Sequence, residues 1–300
     1  MSEYHNPVLL TQSVDALVTN PGGCYADATF GGGGHSREIL SRLGPDGRLL
    51  AFDRDADAAA NAPADPRFTL IHNNFRFIHN YALIEAPEGL DGILADLGVS
   101  SHQFDTPDRG FSFRFNGPLD MRMNVQGAKT ASHIVNSYTQ EELERIFKIY
   151  GEVDNARKLA QLIVAARANA PILSTGDLDT AVAGALPSFA EHKYLAKVYQ
   201  ALRIEVNDEM LSLRKFLQGA AKALRKGGRL AVITYHSLED RMVKNFMRSG
   251  NIEGTLTQDV YGNTQAPLSP VGRKPILPEE EEISSNTRAR SAKLRVAQKN

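Results

Sequence analysis

The chain has 300 residues, 42% hydrophobic and 23% charged, with a formal net charge of −1, one cysteine and eight histidines. That length suffices for one large or two ordinary globular domains with an ample core. One cysteine excludes an intramolecular disulfide framework and a thiolate-cluster metal site, and the histidines show no paired ligand spacing, so no metal is expected. There is neither a charged-then-apolar leader nor an apolar run of membrane-span length, which sets the expectation of a cytoplasmic protein without membrane contact.

Cys24-Tyr25-Ala26-Asp27-Ala28-Thr29 reads as a short buried strand, and Ser36–Leu43 as a helix with Ser36 as its N-cap and Gly44-Pro45 as its stop. Between them stand Gly31-Gly32-Gly33-Gly34. Four glycines give up much backbone entropy, so something must approach the main chain closely. A strand, a glycine loop and a helix start together aim free N–H groups and the positive end of a helix dipole at one point. A tight turn would explain the loop equally well if it stood alone. The next strand, Gly47–Asp53, ends in a carboxylate roughly 20 residues past the loop, the placement that accepts the ribose hydroxyls of an adenosine-containing cofactor. A dinucleotide fingerprint would need a third glycine where Ser36 or Arg37 stands. Asp27, the glycines and His35 at the helix entrance instead look like the first motif of S-adenosylmethionine-dependent methyltransferases, in which the loop faces the methionine moiety. Strand 67–72 then leads to Phe75, whose ring suits an adenine face, and strand 90–98 carries a further carboxylate at Asp96.

Two connecting stretches follow. Val99-Ser100-Ser101-His102-Gln103 comes after Asp96, and Arg109-Gly110-Phe111-Ser112-Phe113-Arg114-Phe115 interleaves rings with guanidinium groups. That pattern fits a clamp on single-stranded nucleic acid, or aromatics that pin a long loop to the core. From about Thr130 to Asn207 the periodicity is helical and strand signals vanish. Thr139–Glu142 makes a capping box for a helix ending at Gly151, and further helices are expected over 155–169, 175–186 and 193–206. Strand character resumes at 227–235, so 130–207 is read as a helical insertion in a sheet assembled from 1–129 and 208–300. After that strand, Ser237 and Asp240 are the expected cap of the next helix, and His236 sits at the strand's carboxyl edge, beside the ligand crevice of open α/β sheets. The tail from Ser284 carries Arg288, Arg290, Lys293, Arg295 and Lys299 with no acid. Ala292–Ala297 alternates as a half-buried strand does, and its cations would serve phosphate contacts.

Taken together the motifs resemble one family from end to end, the bacterial 16S rRNA (cytosine-N4)-methyltransferases, known as RsmH or MraW. They are His5-Asn6-Pro7-Val8-Leu9-Leu10, Thr29–Ser36, Asp53-Arg54-Asp55, Asp96–Ser101, Arg109–Phe113, Gly117–Met123, His236–Arg241 and Asn286–Arg295. The resemblance implies an α/β, Rossmann-like S-adenosylmethionine-dependent methyltransferase sheet with an inserted all-helical domain. It implies as substrate the P-site cytosine of the decoding centre, in 16S rRNA of the small ribosomal subunit, and it leaves room for a homodimer. By position, the S-adenosyl-L-methionine contacts fall on Gly33, Gly34, His35, Asp53, Phe75, Asp96 and Gln103. Arg109, Phe111, Phe113, Arg114, Arg288 and Arg290 are the expected RNA contacts.

An exocyclic amine delocalised into its ring is a poor nucleophile, so transfer to N4 needs an acceptor that hydrogen-bonds and aligns it, with proximity supplying much of the rate. Asp96, Ser100 and His236 are the candidates for that role. The D/N-P-P-Y motif of many amino-methyltransferases is replaced by Asp96-Leu97-Gly98-Val99, and transfer to carbon 5 would require a cysteine nucleophile, for which Cys24 lies at the wrong end of its strand. Two other classes stay open at this point. An NAD-dependent oxidoreductase would share the glycine loop and Asp53, and a non-catalytic RNA-binding assembly protein would share the cationic segments.

Overall fold

The computed structural model describes residues 7–98, 104–259, 261 and 265–300, which fall into two compact units, 1–98 with 210–300 and 99–209. The first unit is a seven-stranded sheet of order β3-β2-β1-β4-β5-β7-β6. Its strands are β1 (Cys24–Asp27), β2 (Arg48–Asp53), β3 (Phe68–His72), β4 (Leu90–Asp96), β5 (Leu224–Thr234), β6 (Leu268–Pro270) and β7 (Lys293–Lys299). All neighbours run parallel except β7, which is antiparallel to both β5 and β6. The strand order reverses between β1 and β4, and an open α/β sheet gapes for a ligand at the carboxyl ends of the strands at such a point.

Side chains alternate between two cores, as the pleat requires. Ala26, Leu50, Ile93 and Val232 face one way, against Ile78 and Ala82 of α3 (Ile78–Glu85), Phe216 and Leu217, and Phe246. Tyr25, Leu49, Leu94 and Ile233 face the other, against Val14 and Leu17 of α1 (Leu10–Leu17) and Ile39 and Leu40 of α2 (Gly34–Arg42). Covered on both faces, β4 is buried from Leu90 through Ala95 and emerges only at Asp96, which is why it reads as a continuous apolar run.

The second unit is helical. It contains α4 (Ala131–Ser137), α5 (Gln140–Ile149), α6 (Ala156–Asn169), α7 (Thr175–Val182) and α8 (Glu191–Asn207), and the expected capping box of α5 is present. Its extent differs from the expected 130–207, because the preceding connector packs with it. Phe111, Leu119 and Met121 lie in the same core as Ile134, Phe147 and Leu202, and the Asn207 side chain bonds the Met121 carbonyl and the Met123 N–H, each at 2.8 Å. Loop residues give no periodic signal, so this docking is invisible in the pattern. Among the described residues no helix is long and apolar enough to cross a membrane.

Two helices follow on the sheet side, α9 (Glu209–Ala223) and α10 (Ser237–Ser249). The cap of α10 is not Ser237 with Asp240. His236 is the N-cap, its ring accepting from the Glu239 N–H, while the Glu239 carboxylate accepts the N–H of His236 and, at 2.9 Å, that of Tyr235. Asp240 instead receives a two-pronged ion pair from Arg295 of β7, at 2.6 and 3.2 Å, with Lys293 3.6 Å away. Burial raises the Asp240 carboxyl, but Arg295 and Lys293 outweigh it and hold the group below its usual 3.8. Asp240→Asn is therefore expected to destabilise the fold by about 1–3 kcal/mol at pH 7, between the worth of exposed and fully buried pairs. A carboxyl depressed in the folded state stabilises fully above its unfolded pKa of about 3.9 and loses that contribution as pH falls through the folded value. Urea denaturation should thus show the gap between variant and wild type closing below about pH 4.

Candidate cofactor crevice and its buried carboxylates

The loop after β1 is bracketed by hydrogen bonds to neighbouring strands. Ala28 donates to the Leu94 carbonyl at 2.8 Å and Phe30 to the Phe52 carbonyl at 2.9 Å. Helix α2 then starts two residues earlier than expected, with Gly33 as N-cap at φ 75°. Ser36 is therefore not the cap; its hydroxyl lies in the first turn and donates to Asp27 Oδ2 at 2.7 Å. The amides of that turn have no intrahelical acceptor and carry the positive end of the dipole. Glycine is required at two loop positions for different reasons. A Cβ on Gly34 would collide with Pro7, whereas one on Gly31, at φ 50°, would meet nothing within 4 Å and would stand in open space beside Asp53.

Asp53, at the end of β2, accepts the Gly31 N–H at 2.7 Å on Oδ2 and the Asp55 N–H at 2.8 Å on Oδ1. Burial raises its pKa and these two bonds oppose the rise. A carboxylate has about four lone-pair sites, so one on each oxygen is left for a diol such as a ribose edge. Phe75 opens a short 3-10 turn after β3, capped by Asn74, and is fixed edge-on to Phe216 with ring centroids 5.1 Å apart. It is only partly buried, which leaves ring surface for a flat ligand.

Deeper in, two carboxylates stand at adjacent strand ends, Asp27 fully buried and Asp96 half-buried. Asp27 is 1% exposed and is held by Ser36 and the Thr29 N–H; the Thr29 hydroxyl in turn accepts the Asp96 N–H at 2.7 Å. Asp96 Oδ2 lies 3.9 Å from His35 Nδ1, and the Tyr235 phenol hydrogen-bonds the carboxylate. Desolvation raises both acids, and the charge of His35 works against the rise at each. His35 is itself buried, its Nε2 3.1 Å from the Val8 carbonyl, so its ring orients the carboxylates rather than reaching solvent. Tyr235 is pushed well above its usual 10 by burial and by the negative charge of Asp96, so it is a neutral donor throughout the physiological range. Asp96 Oδ1 is buried and has no partner among the described residues. A carboxylate oxygen in that state awaits a donor.

The remaining expected residues separate into groups. Gly33, Gly34, His35, Asp53, Phe75 and Asp96 all belong to the sheet unit and surround its carboxyl edge, while Ser100 and Gln103, like His5 and Asn6, lie outside the described residues. His236 caps α10 through Nδ1, while its Nε2, 3.1 Å from Glu239 Oε1, is buried without a hydrogen bond among the described residues, so the cap occupies one ring nitrogen and leaves the other for a ligand group. In the helical unit Phe111 is 4% exposed, a core residue rather than a stacking platform, and Phe113 packs on His192 and Tyr199. Arg109 is bonded to the carbonyls of Arg122 and Met123, whereas Arg114 is exposed. Of the tail cations, Arg290 is exposed and Arg288 half-buried. Sequence reasoning missed Tyr235 and Glu239; the H-x-x-E spacing of a capping box was the available signal, obscured because histidine is an unusual cap.

A crevice with a carboxylate placed for a diol, a half-covered ring and an orphaned acid oxygen beyond them is that of a Rossmann-like methyltransferase. The model of the MraW methylase family matches residues 2–300, and the chain belongs to that family. It is 56% identical over 99% of its length, and 97% of the relative's, to the ribosomal RNA small subunit methyltransferase H of Bacteroides fragilis strain YCH46. It is 54% identical, over 99% and 98%, to the protein of the same name from Flavobacterium johnsoniae. A solved rRNA methylase from Streptococcus thermophilus aligns over 96% of this chain and 91% of its own at 12% identity, with a TM-score of 0.39. Membership of a methylase family removes the oxidoreductase reading.

Two substitutions probe the crevice. Asp53→Ala should weaken binding of an adenosine cofactor by about 1.5–3 kcal/mol, the scale of hydrogen bonds to a charged group. Gly31→Ala should cost about 1–2 kcal/mol of stability for its left-handed backbone, yet lower cofactor affinity more than about tenfold, because its methyl enters ligand space. Calorimetry beside thermal melts separates the two effects; unchanged affinity in folded Asp53→Ala protein would remove that residue from the ribose.

Proposed function

We propose that this methyltransferase transfers one methyl group to the exocyclic N4 amine of the P-site cytosine in the decoding centre of 16S rRNA, acting on the small ribosomal subunit in the cytoplasm. It is a methyltransferase of small-subunit ribosomal RNA, and its cofactor is S-adenosylmethionine. The observation that carries the finer reading is the buried, partnerless Oδ1 of Asp96 at the crevice.

The residues fit this cofactor. Asp53 has lone pairs left for the ribose hydroxyls, Phe75 a partly open face for adenine, and the first-turn amides around Gly33 and Gly34 a positive potential for the methionine carboxylate. S-adenosylmethionine supplies an electrophilic methyl group on a positively charged sulfur. The protein's own task is to orient the amine. Asp96 Oδ1 accepts a hydrogen bond from the N4 amine, while burial raises the Asp96 pKa and the Tyr235 phenol and the neighbouring His35 ring oppose that rise. Transfer to carbon 5 finds no nucleophile here, since Cys24 begins β1 and Asp27 ends it, placing the thiol at the opposite edge of the sheet. For the RNA, the helical unit offers exposed Arg114 and the sheet unit offers Arg288 and Arg290, which position the phosphate backbone and leave base choice to the pocket.

Isotope-labelled methyl transferred from S-adenosylmethionine to small subunits should map to a single N4-methylcytosine. Methyl on another atom would overturn the reading, and cofactor binding without any transfer would favour an RNA-binding assembly protein. Asp96→Asn should lower kcat by about 10²-fold or more, the scale of a positioned acid–base group. In the wild type, activity should fall as pH drops through the Asp96 pKa, which burial places above the ordinary 3.8. That limb should be absent from the residual activity of the variant.

A further inference from the structure

A cavity of about 420 Å³ opens beside Tyr235, between the carboxyl end of β5 and the segment that leads into β7. Leu277, Pro278 and Ile283 give it an apolar wall, and Leu277 is 57% exposed. Arg290 and Lys293 stand at its rim. Lys293 is shared with Asp240, but no carboxylate lies within ion-pair distance of Arg290 among the described residues. The acid next to Ile283, Glu282, is engaged elsewhere, its Oε1 accepting the Leu9 N–H at 2.7 Å. Thr234, Tyr235, His236 and Ser237, from the end of β5 to the first residue of α10, line the opposite side, so the cavity abuts the residue that hydrogen-bonds Asp96.

We propose that this cavity is a nucleotide subsite. It holds one single-stranded ribonucleotide adjacent to the one being methylated, with the base against Leu277 and Pro278 and its phosphate on Arg290. The assignment rests on the reading of Asp96 as the residue that meets the RNA amine. The volume lies within the range of about 300–1,000 Å³ typical of small-ligand sites. A base brought to a buried carboxylate must leave its stack, and its neighbour then loses a stacking partner. An apolar wall next to a free guanidinium replaces that partner and meets the phosphate, whatever the neighbour's identity. An acidic, apolar peptide of a ribosomal protein is the competing occupant, and the experiment distinguishes it.

Affinity for small ribosomal subunits is measured across a salt series, with S-adenosylhomocysteine present, for wild type, Leu277→Ala, Arg290→Ala and the double variant. The double variant should bind about 5- to 30-fold more weakly, the scale of one lost apolar side-chain contact together with one lost phosphate contact. Arg290→Ala should flatten the log–log salt slope by about 0.7, one single-strand phosphate. Cofactor affinity should not change. A photoreactive phenylalanine analogue at position 277 should cross-link to rRNA next to the methylated nucleotide. Unchanged affinity and slope in the double variant, or a cross-link to a ribosomal protein, overturns the subsite. The modified atom is mapped separately with wild-type protein. A methyl found elsewhere than cytosine N4 would defeat the proposed function, while the affinity and cross-linking results would still decide the subsite.

Discussion

Two carboxylates at neighbouring strand ends, Asp27 fully buried and Asp96 half-buried with one oxygen shut off from water, are the constraint around which the sheet unit is arranged. Burying an acid is costly unless its oxygens are paired or it takes up a proton. The chain offsets that cost with short-range partners: Ser36 and Thr29 from the helix and the glycine loop, Tyr235 from the end of β5, and the His35 ring beside both acids. Ser36 and His35 reach the acids only because the loop turns tightly, with glycines in the turn and α2 starting at Gly34. Each Asp27 oxygen has a donor, whereas Oδ1 of Asp96 has none among the described residues, and the proposed function rests on that difference. An oxygen left without a donor inside a folded protein is a standing demand for one, which a substrate amine can meet.

The positive tail also divides by what its side chains meet in the fold. As sequence, Arg288 to Lys299 is a run of five cations without an acid. Folded, it is two populations. Arg295 and Lys293 are bound to Asp240 and fasten β7 to α10, which closes the sheet; Arg290 stays exposed at the rim of the cavity beside Tyr235. One stretch of chain thus holds stability in alternate residues of a strand and the proposed recognition in the turn before it. Mutating the cluster as a block would confound the two.

The strands and the acids at their ends were legible because a strand covered on both faces must be continuously apolar, so a polar residue marks its exit. Asp53 and Asp96 could be chosen on that ground alone, and the tail strand followed from its alternation. What was not legible depends on partners far away in the chain. Asp240 looks like a helix-start residue locally and becomes an ion-pair partner only when residue 295, 55 positions later, arrives beside it. Phe111 sits among arginines in sequence, yet lies in the core of the helical unit, because nothing in a loop's pattern reveals which surface it covers. His236 was attractive as a chemical group for its place at the sheet edge. Folded, it also caps α10 through Nδ1, a role its place in the sequence does not announce, and the residue before it, Tyr235, is the one that bonds Asp96.

The central claim is that the sheet edge holds the cofactor with Asp53 on its ribose and the open oxygen of Asp96 facing the methyl-transfer position. A crystal structure with S-adenosylhomocysteine tests it most directly. The account predicts ribose hydroxyls within hydrogen-bond distance of both Asp53 oxygens, adenine against Phe75, and the sulfur on the side of the pocket where Asp96 Oδ1 opens. Density for the ligand with its ribose away from Asp53, or with its sulfur screened from Asp96 by protein, would contradict it.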